Sequence, residues 1–329
     1  MTDPLTPGQT IGILGGGQLG RMLAMAAARL GFRVHVFEPG ANPPAAQTAN
    51  QTTTAPYEDL DALRAFAKAV NVVTYEFENV PAEALDVIEA LVPIRPSRQA
   101  LAVSQDRLTE KTFLAEIGLE TAPFAPVKDD ATLAQAIAAT GLPAILKTRR
   151  LGYDGKGQAR LRTTHDGPAA LEEMAGADAI LEGFVPFDRE ISVIAARCED
   201  GHIACFEPGE NVHRDGILHT TTVPADIDEE MRESAFGVAG TILTALDYIG
   251  VMGVELFVAG DRLLVNEIAP RVHNSGHWTE AGAVIDQYEQ HVRAVAGWPL
   301  VDTVRHSDVE MTNMIGDDDE MLPDIADEA

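Results

Sequence analysis

Val254-Glu255-Leu256-Phe257-Val258-Ala259-Gly260-Asp261-Arg262-Leu263-Leu264-Val265-Asn266-Glu267 is the stretch on which the reading of this chain turns. Two apolar runs flank Ala259-Gly260-Asp261, the pattern of a β-hairpin. Glu255 and Glu267 each stand six residues from Asp261. A regular register about that residue sets them face to face, with Cβ atoms about 4.5–5.5 Å apart. Two carboxylates that close, amid Leu, Val and Phe, repel unless they share a proton or a divalent cation. Hard oxygen ligands suit Mg²⁺, or Mn²⁺ in its place. The competing outcome is a bulge that slips the register and turns one glutamate to water.

Upstream, Lys147 closes the apolar strand Ala144-Ile145-Leu146. The loop Gly152-Tyr153-Asp154-Gly155-Lys156-Gly157-Gln158 follows, and its three glycines let the backbone fold over a phosphate chain. The spacing is not that of a Walker A motif, and a hairpin loop with a solvated lysine is the alternative. Glu182-Gly183-Phe184-Val185 ends the next strand, where backbone groups suit adenine. Glu190 is placed to accept from ribose hydroxyls, although each glutamate alone is equally a solvated one. Downstream, period two puts Glu267, Ala269 and Arg271 on one face. The guanidinium fork of Arg271 fits bicarbonate or another carboxylate. His273 and His277 have helical spacing for zinc, but Asn274-Ser275-Gly276 between them breaks a helix.

A second glycine motif lies near the start. Gly15-Gly16-Gly17-Gln18-Leu19-Gly20 follows a strand and opens a helix, and Glu38 ends the next strand. That is a dinucleotide fingerprint with its ribose-binding acid. The physics supports an anion at the helix N-terminus without saying which anion, and a ligand-free turn also fits.

Composition narrows the classes. The chain has 329 residues, 46% of them hydrophobic, enough for two or three domains. No long apolar run or basic-then-apolar leader is present, so neither a membrane span nor a signal peptide is expected. The net charge of −27 repels phosphate backbones and excludes nucleic acid as a natural partner. Cys198 and Cys205 match no disulfide framework or metal spacing, which fits a reduced cytoplasm.

The first hundred residues alternate strands at Thr10–Leu14, Arg33–Phe37 and Val72–Tyr75 with helices at 21–30 and 59–69, a parallel-sheet rhythm. Ser104 reads as the N-cap of a helix over 105–117. Beyond it strands outnumber helices, at 144–148, 158–162, 179–185 and 190–197, with helices at 166–175 and 228–246. The tail from Gly316 to Ala329 carries seven acids and no base, and is expected to fray.

Taken in order, these blocks resemble the ATP-grasp superfamily, and more closely its 5-(carboxyamino)imidazole ribonucleotide synthase family. The resemblance runs from about Thr10 to Asp318. Its most specific pieces are Gly15–Met22, Tyr75-Glu76-Phe77-Glu78-Asn79, Gly152–Gln158, Asn266–Arg271 and His273–Trp278. It implies an α/β and α+β fold: a Rossmann-like preATP-grasp domain over 1–103, an ATP-grasp domain over 104–298 and a short segment over 299–329. It also implies an ADP-forming ligase that carboxylates 5-aminoimidazole ribonucleotide with ATP and bicarbonate, via carboxyphosphate, in purine biosynthesis. Dimers are usual in the family.

The resemblance carries roles to residues. Arg107, Lys111, Lys147 and Lys156 touch ATP, with Gly152 to Gln158 over its phosphates. Glu182 to Val185, Glu190 and His213 hold the nucleoside. Glu255 and Glu267 carry Mg²⁺ beside Asn266. Arg271, His273 and Asn274 hold bicarbonate or carboxyphosphate. Gly17, Gln18, Leu19, Glu76, Tyr153 and Asp154 line the ribonucleotide site, with Asp154 the proton acceptor for the amine. The Gly15–Gly20 turn then meets the ribonucleotide phosphate. Two departures are visible: Ala269 stands where many ATP-grasp enzymes carry a metal-binding Asn, and acids end the chain where the family has a basic, phosphate-holding stretch. Three rival readings follow: another ATP-grasp ligase, such as a glycinamide ribonucleotide transformylase or biotin carboxylase; a nicotinamide oxidoreductase; and a nucleotide-binding regulator that has lost turnover.

Overall fold

Three sheets organise the chain in the computed structural model, which describes residues 3–152, 157–214 and 216–316. Tyr153, Asp154, Gly155 and Lys156, and the acidic tail beyond Gly316, lie outside the described residues. In the first sheet, β1 (Thr10–Leu14), β2 (Arg33–Glu38), β3 (Gln51–Thr54) and β4 (Val72–Tyr75) run parallel in the order β3-β2-β1-β4. Helices α1 (Gln18–Arg29), α2 (Leu60–Lys68) and α3 (Ala82–Glu89) accompany it. Near-continuous burial of β1, β2 and β4 reflects cover on both faces, as parallel sheets require.

The junction with the rest of the chain differs from the sequence reading. Ser104 caps nothing; it ends a short helix α4 (Arg98–Ser104), and its hydroxyl bonds back to the Leu101 carbonyl. The next helix, α5 (Arg107–Glu116), is capped by Asp106, which accepts from the Leu108 and Thr109 amides at 3.0 and 3.1 Å. An ionised carboxylate binds two amides at the positive end of a helix better than a hydroxyl does. Arg149 also grips Asp106 through two nitrogens, tying that cap to the end of a strand.

The second sheet is antiparallel, in the order β5-β8-β6-β7, from β5 (Phe124–Val127), β6 (Ala144–Thr148), β7 (Gln158–Leu161) and β8 (Ala179–Gly183). Helices α6 (Asp130–Thr140) and α7 (Gly167–Glu173) contribute Leu133, Ala136 and Ala170 to its core. The third and largest sheet holds β9 (Arg189–Arg197), β10 (Ile203–Cys205), β11 (Gly209–Arg214), β12 (Ile217–Val223), β13 (Gly250–Ala259), β14 (Arg262–Ala269) and β15 (Val309–Thr312). Its path is β14-β13-β9-β11-β12-β15, with β10 on β9. The long helix α8 (Glu229–Ala245), the short α9 (Thr279–Gly282) and α10 (Gln287–Val295) complete the chain.

The Gly15–Gly20 turn corrects an expectation. Carboxylates of the chain itself take three of its amides, which the dinucleotide reading leaves to an outside anion. Glu38 accepts from Gly16 at 2.9 Å, and Glu76 accepts from Gly17 and Gly20, the latter at 2.6 Å. Gly15 has φ +97°, and a Cβ on it would meet Glu76 at 2.5 Å. The glycines therefore make room for a buried glutamate from the segment just after β4.

His291 on α10 joins the first sheet to the third. Its Nε2 lies 2.8 Å from Thr74 Oγ1 on β4, and its Nδ1 accepts from the Val251 amide of β13 at 3.0 Å. Burial holds this imidazole down near pKa 3, so it stays neutral in the fold. The unfolded chain binds a proton below about pH 6.5 that the folded chain refuses, so this group's support falls as pH drops from there toward 3. In urea melts at a series of pH values, the stability gap between wild type and His291→Gln should narrow by about 1.4 kcal/mol per pH unit over that window. A constant gap would show that His291 does not resist protonation.

Candidate active site

The hairpin pairs Glu255 with Glu267, as its sequence predicts, but for a different reason. Ala259 pairs with Arg262, so the turn is Gly260-Asp261 and its centre lies between those residues, not on Asp261. A regular ladder from that turn would put Asn266 opposite Glu255. Instead the register shifts after Leu256–Val265, and Asn266 is the extra residue of a bulge. The bulge that threatened to separate the glutamates is what brings them together. It also lets neighbours on one strand, Asn266 and Glu267, both line the same cavity.

That cavity has a volume of about 770 Å³. Of the residues expected at a site, Gln18, Arg107, Lys147, Gly152, Gly157, Gln158, Glu190, His213, Glu255, Asn266, Glu267, Arg271, His273 and Asn274 all line it. Gly17, Leu19, Glu76, Lys111, Glu182, Gly183, Phe184 and Val185 are not among its lining residues. Lys111 is 1% exposed and donates to the Val265 and Asn266 carbonyls behind the hairpin. Leu19 packs on the apolar core. Phe184 lies under the Arg160 guanidinium, 4.7 Å from its ring centre.

Charges in the cavity are arranged in opposed sets. Glu267 Oε2 sits 3.1 Å from Arg107. Burial alone would raise this carboxyl, but Arg107 and Lys147 hold it down at about pKa 2. Glu255 goes the other way. Burial first, then the charges of Glu267 and Glu190, push it well above the usual carboxylate range. Asn266 Nδ2 lies between Glu190 (3.3 Å) and Glu255 (3.4 Å). Glu190, His213 and Glu255 bring their ligand atoms within 4.8 Å of one another. Lys147 meets Glu182 at 2.9 Å, and the other oxygen of Glu182 is buried with no partner among the described residues. Such a donor set suits a hard divalent cation: oxygen ligands crowd together, one keeps a proton for want of a counter-charge, and Arg107 supplies positive charge to another.

His273 approaches Glu255 Oε1 at 3.5 Å through Nε2. The Ser275 amide donates to its Nδ1 at 3.3 Å, so Nδ1 is the acceptor and Nε2 carries the hydrogen. Burial, then Arg271, pushes its pKa down to about 3, making it a neutral donor and not a base. Gly253, two residues before Glu255, makes room: a Cβ there would lie 2.7 Å from His273 Cβ. Arg271 does not continue the strand face, because β14 ends at Ala269 and the Arg271 amide turns back to the Ala269 carbonyl. It reaches the cavity from that turn, held at 2.7 Å by Glu78 of the segment after β4.

Sequence reasoning missed an aromatic wall. Phe187 and Phe257 stack with ring centres 4.4 Å apart and both line the cavity. Phe257 is two residues from Glu255 on β13, so period two already put it on the glutamate's face. Phe187 lies in a loop and carried no such signal.

The ATP-grasp domain family matches residues 112–288, and the ribonucleotide synthetase preATP-grasp domain family matches residues 8–105. An N5-carboxyaminoimidazole ribonucleotide synthase from Brucella melitensis is 57% identical, over 98% of this chain and 90% of its own. The Staphylococcus aureus N5-carboxyaminoimidazole synthetase complexed with ADP superposes with a TM-score of 0.95 at 36% identity, covering 99% of this chain and 88% of that one. An Aspergillus clavatus N5-carboxyaminoimidazole synthase in complex with ADP and 5-aminoimidazole ribonucleotide gives 0.90 at 31% identity, covering 97% and 86%.

Glu255 yields a direct test. Burial and neighbouring carboxylates favour the protonated form of Glu255 and a bound cation favours the ionised one, so Mn²⁺ binding with ADP should release protons from it. Calorimetry in buffers of different ionisation heats measures this. Release that persists undiminished in Glu255→Gln would place the proton elsewhere.

Proposed function

The chain belongs to the N5-carboxyaminoimidazole ribonucleotide synthase family of ATP-grasp ligases, and on that premise we propose how its cavity divides the work. Its reaction is the ATP-dependent carboxylation of 5-aminoimidazole ribonucleotide in purine biosynthesis, an ADP-forming closure of a carbon–nitrogen bond. One observation carries the residue assignment: Glu255, Asn266 and Glu267 share a single cavity with Lys147, Arg107 and Arg271.

Lys147 and Arg107 hold the phosphates of ATP, with Gly152, Gly157 and Gln158 along them. Glu190 and His213 take the nucleoside end, and Phe187 and Phe257 offer it a flat apolar wall. Burial lowers the His213 pKa, but Glu190, 3.2 Å from its Nδ1, more than offsets this and raises it. Glu255 and Glu267, with Asn266, hold Mg²⁺, which when bound draws charge from the phosphates. For Glu267 to serve, Arg107 turns from it to the nucleotide.

A bicarbonate oxygen attacks the terminal phosphorus and ADP leaves. The exocyclic amine of the ribonucleotide then attacks the resulting carboxyphosphate carbon; phosphate leaves, and the amine gives up a proton. Arg271 holds the carboxyl group as a fork, with Glu78 fixing its plane. The His273 Nε2–H and Asn274 donate to oxygens where negative charge grows. Asp154 as proton acceptor rests on the family resemblance alone. The first sheet carries the acceptor and the later two close on the nucleotide. Small anionic metabolites as substrates and two free cysteines fit a cytoplasmic setting.

ADP release from Mg-ATP and bicarbonate, with and without the ribonucleotide, is the test. Ribonucleotide-stimulated release is expected, and Arg271→Lys should lower kcat/KM for bicarbonate by about 10²–10³-fold, the scale of a lost oxyanion contact. Tight nucleotide binding with no release would instead favour a regulator. An Asp154→Asn enzyme that carboxylates at the full rate would end that residue's role.

A further inference from the structure

Glu110 and Lys111 are neighbours on α5, yet both reach the same strand, with opposite chemistry. Because β14 is the outer strand of its sheet, half of its backbone groups face away from β13. Lys111 Nζ takes two of them, the carbonyls of Val265 (3.2 Å) and Asn266 (2.6 Å). Glu110 Oε1 takes a third, the Ile268 amide, at 2.6 Å. The Glu120 carbonyl takes a fourth, the Val265 amide, at 2.8 Å. These contacts bracket the bulge at Asn266 and leave Glu267 between them.

Stability alone does not call for such residues. Glu110 and Lys111 are 2% and 1% exposed, and burying either charge is costly where an apolar side chain would pack. Their positions follow the bulge, which puts one residue too many on β14 and would otherwise be free to relax along an open edge. Lys111 also stands 3.9 Å from Glu182, which holds Lys147 at 2.9 Å. The same lysine therefore links the hairpin to the cation at the end of β6.

We propose that Glu110 and Lys111 are positioning residues that clamp the open edge of β14, fixing the bulge so that Asn266 and Glu267 both face the cavity. Lys111 lies behind the hairpin and Glu110 borders the cavity, but the role assigned to both runs through the backbone of β14, and the proposal rests on the assignment of Glu255 and Glu267 as metal ligands.

The probe is Mn²⁺, its free concentration followed by electron paramagnetic resonance in the presence of ADP, on full-length protein checked for folding by circular dichroism. Glu110→Ala and Lys111→Met should each weaken Mn²⁺ binding about tenfold or more, as lost supporting contacts at metal sites do. Glu110→Gln keeps an oxygen for the Ile268 amide and should stay within about threefold of wild type, a rescue in the same range of effects. The KM for Mg-ATP should rise in the first two variants while that for the ribonucleotide holds. If Lys111→Met does not fold, Lys111→Gln, which keeps a single donor, takes its place with the same threshold. Wild-type affinity in folded Glu110→Ala and Lys111→Met, or a Glu110→Gln as weak as Glu110→Ala, overturns the clamp alone. A Glu267→Gln protein that binds Mn²⁺ as well as wild type overturns the metal assignment and the clamp with it.

Discussion

Like charge held face to face on neighbouring strands is the constraint to which the rest of the molecule answers. A glutamate opposite a glutamate destabilises a hairpin in isolation. Here it survives because the surroundings are uneven: one partner faces two cations, and the other sits amid further carboxylates. The asymmetry gives the two carboxyls different protonation states at the same pH, so that the pair can trade a proton for a metal ion. Arg107 and Lys111 come from α5 and Lys147 from β6: Arg107 meets Glu267 itself, Lys147 is held by Glu182, and Lys111 by the Asn266 carbonyl.

The net charge of −27 makes this more than local. Positive groups are few and must be spent where an anion arrives. Around the cavity they are spent there: Arg107, Lys147, Arg149 and Arg271 all line it. Five carboxylates, Glu78, Glu110, Glu190, Glu255 and Glu267, line it as well, so the cavity is marked by where each cation is held and not by a net positive field.

Much of this was legible in the sequence, though not always for the right reason. Period two along Val254–Phe257 and the apolar run before Lys147 gave the hairpin, the strand and their chemistry. What sequence could not supply was where the turn centres, because Gly260-Asp261 and Ala259-Gly260-Asp261 are both good turns and differ by one residue of register. The Ser104 cap failed for a related reason: Ser and Asp at 104 and 106 are both good caps, and the support Asp106 gains from Arg149, 43 residues away, is invisible in the local sequence. Lys111 carries a family role at ATP, and its place behind the hairpin was not legible, since burial is a property of the packed chain. The loop from Tyr153 to Lys156, with the Asp154 assignment, lies outside the described residues and rests on the sequence alone.

The glutamate seated in the Gly15–Gly20 turn has a further consequence. A dinucleotide or free phosphate seeking that helix N-terminus would compete with a carboxylate on the same chain, which no dilution removes. A tethered group commonly presents itself at millimolar effective concentration or above. The motif thus carries the letters of a cofactor site, while carboxylates of the same chain stand where that cofactor's phosphates would seek the Gly16, Gly17 and Gly20 amides.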